Sequence, residues 1–169
     1  AWQDMLAIAA VLSISVGNIV AIAQTSLKRM LGYSTISHMG FLLLGFLGGT
    51  AHGYSASLSY VVIYTVITLG AFGIILLLSK PQFEFDALSD LKGLNHSRPG
   101  LAFLMLIVMF SLAGVPPTAG FFAKLLVLQS ALENGFLWTV IVAAVMAVVG
   151  AFYYLRVVKL MYFDLPDKD

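Results

Sequence analysis

The chain has 169 residues, of which 60% are hydrophobic and 10% charged, and its formal net charge is +1 at pH 7. A soluble domain is ~45–50% apolar and ~25% charged, so this composition excludes a water-soluble globular fold and points to an integral membrane protein. Cysteine is absent, which excludes a disulfide framework, a thiolate metal site and a cysteine nucleophile.

Crossing ~30 Å of hydrocarbon takes about 20 apolar residues in a helix. The first such segment is 4–24. It follows Ala1 and Trp2 with no basic stretch ahead of it, so it is not a signal peptide, and the chain is expected to be a piece of a longer one. Lys28 and Arg29 come next, followed by a second segment at 31–50. His38 stands ten residues beyond Lys28, ~15 Å deeper along a helix, which places it near the membrane midplane. Ser34, Ser37 and His38 share one helical face. Two readings of His38 stand: an imidazole that passes a proton between neighbours, or a histidine bonded to nearby hydroxyls that ties helices together. Lys28 likewise reads as an ordinary basic anchor, and Tyr33 as an interfacial aromatic.

The third segment, 56–79, carries Tyr60, Tyr64 and Thr68 on one stripe, with Thr65 beside it. These side chains hydrogen-bond either internal water or a neighbouring helix. The linker 80–99 is the one long connection, with Lys80, Glu84, Asp86, Asp90, Lys92 and Arg98 and two prolines. Phe85, Leu88 and Leu91 give it a short amphipathic helix.

The fourth segment, 100–130, is too long for one crossing, at ~46 Å. Gly114, Pro116, Pro117 and Gly120 sit near its middle. Proline removes a backbone donor and clashes with the preceding turn, so two half-helices are expected, about 100–113 and 119–130. Non-helical backbone at membrane depth survives only inside protein or against water, and interrupted helices of this kind mark ion sites in transporters. Lys124 lies just past the break. An ammonium out of water, near the positive end of the second half-helix, is disfavoured, as a proton-relaying lysine requires. The alternatives are a lysine that snorkels to the interface and a proline pair that only kinks one long helix. The fifth segment, 136–160, carries Tyr153 and Tyr154, which read as packing or interfacial groups.

The spans are continuous apolar runs such as "LLLGFLGG" and "TVIVAAVMAVVGAF", which rules out the alternating strands of a β-barrel. With five helices, Lys28, Arg29, Lys80, Lys92, Arg98, Arg156, Lys159 and Lys168 fall on one side, the inner one by the positive-inside rule. The chain thus enters from outside and ends inside. Asp4, His52 and Glu133 fall outside, and Lys124 is the one basic residue the rule leaves unexplained. No Gly-rich nucleotide loop is present. The histidines are too dispersed for a metal site, and nothing suggests nucleic-acid binding.

Two stretches carry a family resemblance. "QTSLKRMLGYSTISHMGFLLLG", from Gln24, and "SLAGVPPTAGFFAKLLVL", from Ser111, resemble the antiporter-like membrane subunits of proton-pumping NADH–quinone oxidoreductase (respiratory complex I) and of multisubunit cation/proton antiporters. "FYYLRVVKLMY", from Phe152, and a lysine rather than a glutamate after the break look most like one particular antiporter-like subunit of the oxidoreductase rather than its paralogues. The resemblance covers essentially the whole chain. It implies a bundle built on inverted five-helix repeats, each with its fourth helix discontinuous. The all-α transmembrane unit 1–169 is then one such repeat, and the other precedes Ala1. The implied function is proton translocation coupled to electron transfer from NADH to quinone. Lys124 would exchange protons with the outer side, and His38 would lie on a hydrated polar axis. Lys28 and Tyr33 would stand near the inner mouth, and Tyr153 would match a relay tyrosine of the last helix. NADH, FMN, iron–sulfur clusters and quinone would belong to partner subunits, with no cofactor in this chain. The implied neighbours are other membrane subunits of the complex, including antiporter-like ones, and the lipid bilayer. The implied location is a bacterial inner membrane, with organellar inner and thylakoid membranes as alternatives. A cation/proton antiporter subunit and a structural membrane scaffold stand as the other functional readings.

Overall fold

The computed structural model describes residues 2–166; Ala1 and Lys168, on which two expectations rested, lie outside the described residues. The long helices are α1 (Trp2–Ile22), α2 (Leu27–Phe46), α3 (Ala51–Leu78) and, after the linker, α5 (Pro99–Ala113), α6 (Ala119–Glu133) and α7 (Leu137–Tyr162). The linker holds a 3-10 turn (Leu88–Leu91) and the single-turn α4 (Leu94–Ser97). Isolated bridges at Ser26–Ala87 and Lys80–Phe83 are the only β pairing among the described residues.

Helix starts differ from the expected ones because of their caps. Ser26 accepts a hydrogen bond from the Arg29 amide at 3.2 Å, so α2 begins at Leu27 rather than 31, and Lys28 and Arg29 occupy its first turn. Thr50 accepts one from the Gly53 amide at 3.1 Å, which moves the start of α3 from 56 to Ala51. A side-chain acceptor at this position satisfies an amide that the helix itself cannot.

The linker does not form one amphipathic helix. Phe85, Leu88, Leu91 and Leu94 are all buried, but they reach the bundle through an irregular chain. The Leu27 amide donates to the Asp86 carbonyl at 2.6 Å and the Leu88 amide to the Thr25 carbonyl at 2.9 Å. The Asp86 carboxylate accepts from Ser26 Oγ at 2.7 Å. These long-range bonds fix the linker beneath the start of α2 and outweigh its local helical pattern.

The apolar core is split into two clusters. One joins Ala21, Leu27 and Met30 to Ile75, Met105, Met109, Val157 and the buried linker leucines. The other joins Ala10, Ile14, Phe41 and Leu44 to Ala56, Val127, Ala131 and Ala143. α5 contributes to the first cluster and α6 to the second, so the connection 114–118 falls where they meet. Of the buried polar side chains, Asn18, Ser34, Ser37 and His38 lie on the stretches of α1 and α2 between the two sets.

α1, α3 and α7 are each long and apolar enough to cross a membrane. Their outward faces carry Ile8, Leu12, Val62, Val66, Leu69 and Val148, all more than half exposed. The chain is an all-α, multi-pass membrane bundle.

Candidate functional site

α5 ends as a helix does when glycine follows it. Gly114 has φ +81°, and its amide donates to the carbonyls of Phe110 and Ser111, the left-handed closure that glycine adopts without strain. The Pro116–Pro117 peptide bond is cis. The Thr118 amide turns back to the Val115 carbonyl at 3.0 Å, and α6 starts one residue later. The carbonyls of Leu112 and Ala113 remain at the end of α5, without the partners an unbroken helix would give them.

Lys124 supplies those partners. Its ammonium donates to the Leu112 carbonyl at 2.9 Å and to the Ala113 carbonyl at 3.0 Å. It lies 5.2 Å from the centre of the Phe41 ring, within cation–π range. A long side chain on a helix leans toward that helix's N-terminus, so Lys124 points back to the connection rather than out along α6. Only 8% of the residue is exposed, and the snorkelling reading does not describe it. The helix end it meets also differs from the expected one. The ammonium lies on the last carbonyls of α5, the negative end of that helix's dipole, which attracts a cation.

A second polar group lines a small cavity on the far side of Leu112. His38 Nδ1 is 2.6 Å from the Tyr60 hydroxyl and its Nε2 is 2.9 Å from the Tyr154 hydroxyl. A neutral imidazole has one N–H and one bare nitrogen. The ring therefore donates to one tyrosine oxygen and accepts from the other's O–H, joining α3 to α7 through α2. Tyr64 lies over the imidazole with ring centres 4.7 Å apart, and its hydroxyl donates to Thr35 Oγ1 at 2.7 Å. The cavity is lined by His38, Tyr60, Tyr64, Ser111, Leu112 and Gly120, among others. Leu112, whose carbonyl holds Lys124, is thus part of its wall. A separate opening reaches Lys124 past Gly114, Phe121 and Leu128.

The line continues toward α1. The rings of Tyr153 and Tyr154 are 4.4 Å apart. The Tyr153 hydroxyl donates to Asn18 Oδ1 at 2.8 Å, and Asn18 Nδ2 donates to the Met146 carbonyl at 2.9 Å. The structure brings His38, Tyr153 and Lys124 into one buried polar belt. It leaves two candidates outside: Lys28 pairs with Glu84 at the linker end, and Tyr33 is about one-third exposed. Thr68, from the tyrosine stripe of α3, has a buried hydroxyl with no hydrogen-bond partner. Among the described residues no three metal-ligating side chains gather around one point.

Sequence reasoning missed Asn18; it set Tyr60 on a stripe that bonds water or a neighbouring helix without naming His38 as its partner, and read Tyr154 as a packing or interfacial group. Asn18 is the one amide inside the apolar run 4–22, and that isolation was the available signal. Tyr154 carried none, since only the fold brings α7 to α2. Arg156 counts in the sequence only among the inner-side basic residues. It also donates to the carbonyls of Ile22 at 3.0 Å and Gln24 at 2.9 Å, closing the last turn of α1.

A family model described as "NADH:quinone oxidoreductase/Mrp antiporter, TM" matches residues 1–164. The chain is 60% identical over 167 residues to NADH-quinone oxidoreductase subunit N of Nitrosomonas europaea, an alignment covering 99% of this chain and 35% of that one. Among solved structures, a chain of respiratory complex I from Thermus thermophilus with bound NADH matches with a TM-score of 0.85 at 30% identity, over 98% of this chain and 35% of that one. A chain of the Mrp complex from a Dietzia species matches with a TM-score of 0.87 at 23% identity, over 98% of this chain and 31% of that one; this last likeness shows the fold alone. The chain spans about a third of the length of the relatives it matches.

Proposed function

The chain belongs to the NADH:quinone oxidoreductase/Mrp antiporter transmembrane family, and from that premise we propose that it carries protons across the membrane as part of subunit N of a proton-pumping NADH–quinone oxidoreductase. In this reading α5 and α6 form one discontinuous span. With α1, α2, α3 and α7 they complete a five-crossing unit, one of two inverted repeats, and residues 1–169 are the proton-translocating piece of a longer chain. The membrane is the bacterial inner membrane. The end bearing Lys28, Arg29, Lys80 and Lys159 faces the cytoplasm, so the chain starts outside and ends inside.

One observation carries the reading. The Lys124 ammonium rests on the last carbonyls of α5, and Leu112, one of the two residues it holds, walls a cavity that the Tyr60–His38 contact also lines. Protons enter near Lys28 and Tyr33 and reach His38, which accepts on one nitrogen and releases from the other. Tyr153 supports this line from α7. Water in the cavity carries the proton to Lys124, and the opening beside Phe121 and Leu128 gives it a second way out. Charge-assisted hydrogen bonds are stronger than neutral ones, so the protonated lysine grips the end of α5 and the neutral amine lets go. A unit charge arriving ~6 Å away at an effective dielectric of ~20 is worth ~2.8 kcal/mol, about 100-fold in the lysine's protonation equilibrium. That is enough to switch it. The redox chemistry of NADH, FMN, iron–sulfur clusters and quinone belongs to partner subunits. Other membrane subunits, including antiporter-like ones, flank this chain.

The test is Lys124→Ala in the complete complex, with NADH-driven proton uptake followed in inverted membrane vesicles. Loss of most proton uptake in an assembled complex is expected, and Lys124→Arg should behave alike because guanidinium does not release its proton. Undiminished pumping by assembled Lys124→Ala would sink the proposal. Sodium-dependent exchange that needs no NADH would favour the cation/proton antiporter reading instead.

A further inference from the structure

α7 shows one apolar face from end to end. Ile141, Val145, Val148, Phe152 and Leu155 are 46–75% exposed, and their spacing sets them in a single stripe. At 1.5 Å per residue the stripe is ~21 Å long, about the reach of one extended fatty-acyl chain. It ends in two cations. Phe152, Leu155, Arg156 and Lys159 together line a surface groove.

Neither cation is neutralised by close pairing. The Arg156 guanidinium donates to two α1 carbonyls, which accept hydrogen bonds but carry no net charge, and it has no carboxylate partner among the described residues. Lys159 is 69% exposed at its side chain and meets Asp164 only at 4.0 Å, the outer limit of an ion pair. The linker carboxylates at the same end are engaged elsewhere. Glu84 pairs with Lys28, Asp86 accepts from Ser26, and Asp90 accepts from the amides of Asp86 and Ala87.

We propose that this groove is a binding site for one anionic phospholipid, its phosphate between Arg156 and Lys159 and one acyl chain along Leu155, Phe152 and Val148. Basic pockets at the end of a transmembrane helix bind anionic head groups through charge, while the apolar stripe beyond them takes the chain. A transmembrane helix could cover the stripe, but it would have to bring its own carboxylate to the cations. The phospholipid supplies both features in one molecule. The site holds the lipid beside the Arg156 bonds that close α1 onto α7, so a bound lipid braces that junction.

The experiment uses the complete complex containing the full-length chain, delipidated in a zwitterionic detergent. It is titrated with phosphatidylglycerol bearing a photoreactive acyl chain, with the matching phosphatidylcholine as control, and labelled peptides are mapped by mass spectrometry. Phosphatidylglycerol should label 141–155 at least several-fold more than phosphatidylcholine, and excess inorganic phosphate should not compete. Lys159→Gln, an exposed change that leaves the bundle intact, should reduce the labelling about fivefold. Arg156→Gln combined with Lys159→Gln should abolish it. Equal labelling by the two lipids, no labelling of α7, competition by inorganic phosphate, or labelling unchanged in Lys159→Gln would each overturn the proposal. The readout needs no proton transport, so it stands or falls separately from the pumping assignment.

Discussion

Gly120 in α6 lies against the carbonyl of Ser111 in α5, with no room for a β-carbon between them. The two helices therefore overlap at their connection instead of meeting end to end. That overlap sets Lys124, one turn further on, level with the carbonyls of Leu112 and Ala113.

Gly120→Ala should push α6 away from α5 and cost about 1–3 kcal/mol, the usual penalty for overpacking. The thermal midpoint of the purified complex and its proton uptake should fall together. Gly100→Ala, where an added methyl meets nothing within 4 Å, is the matched control and should change neither.

His38 has both ring nitrogens occupied by tyrosine hydroxyls. Tyr60→Phe or Tyr154→Phe leaves one buried nitrogen unpaired, at about 1–3 kcal/mol of stability. His38→Phe removes the imidazole and keeps the ring volume. If the imidazole passes protons, His38→Phe should assemble and lose most of its NADH-driven proton uptake. Wild-type pumping in that variant would reduce His38 to a tie between helices.

Asn18 joins α1 to α7 twice, through Tyr153 and through the Met146 carbonyl. Asn18→Leu should destabilise the complex by about 1–3 kcal/mol, seen as a lower denaturation temperature. Tyr153→Phe alone should cost less, because Asn18 keeps its Met146 bond. A double variant no worse than Asn18→Leu would locate the loss in that one network.

Asp86 holds the linker to α2 through Ser26 Oγ at 2.7 Å and the Lys28 amide at 3.3 Å. Asp86→Ala should cost about 1–2 kcal/mol, as loss of a capping acceptor does, and should free the linker locally. Limited trypsin digestion of membranes should cut after Lys92, which precedes Gly93, faster in the variant, while wild type resists.

Much of this was legible in the residues themselves. Gly114, Pro116 and Pro117 marked the break between α5 and α6, and helical spacing put Ser34, Ser37 and His38 on one face, where all three are buried. Local signals were also missed: Ser26 and Thr50 cap their helices, so α2 and α3 start four or five residues earlier than the apolar runs suggested. The remaining features depend on contacts between distant parts of the chain. Nothing near Tyr154 says that it will meet His38, 116 residues away. Nothing near Asp86 says that it will meet Ser26, and that contact helps to displace the linker's expected helix. The direction of Lys124 lay between these cases. Its position past the break was visible, but its choice of the α5 carbonyls required the overlap that Gly120 permits.

The Tyr60–His38–Tyr154 chain has a polarity. Each of its three hydrogens points the same way along the line, because the imidazole has only one to offer. A hydrogen handed in at one end and a different one handed out at the other would leave all three pointing backward. A second could not follow in the same sense until both hydroxyls swung round and the ring exchanged its tautomer. Conduction through such a chain is stepwise, and its ceiling is set by how quickly three buried groups can reset between deliveries.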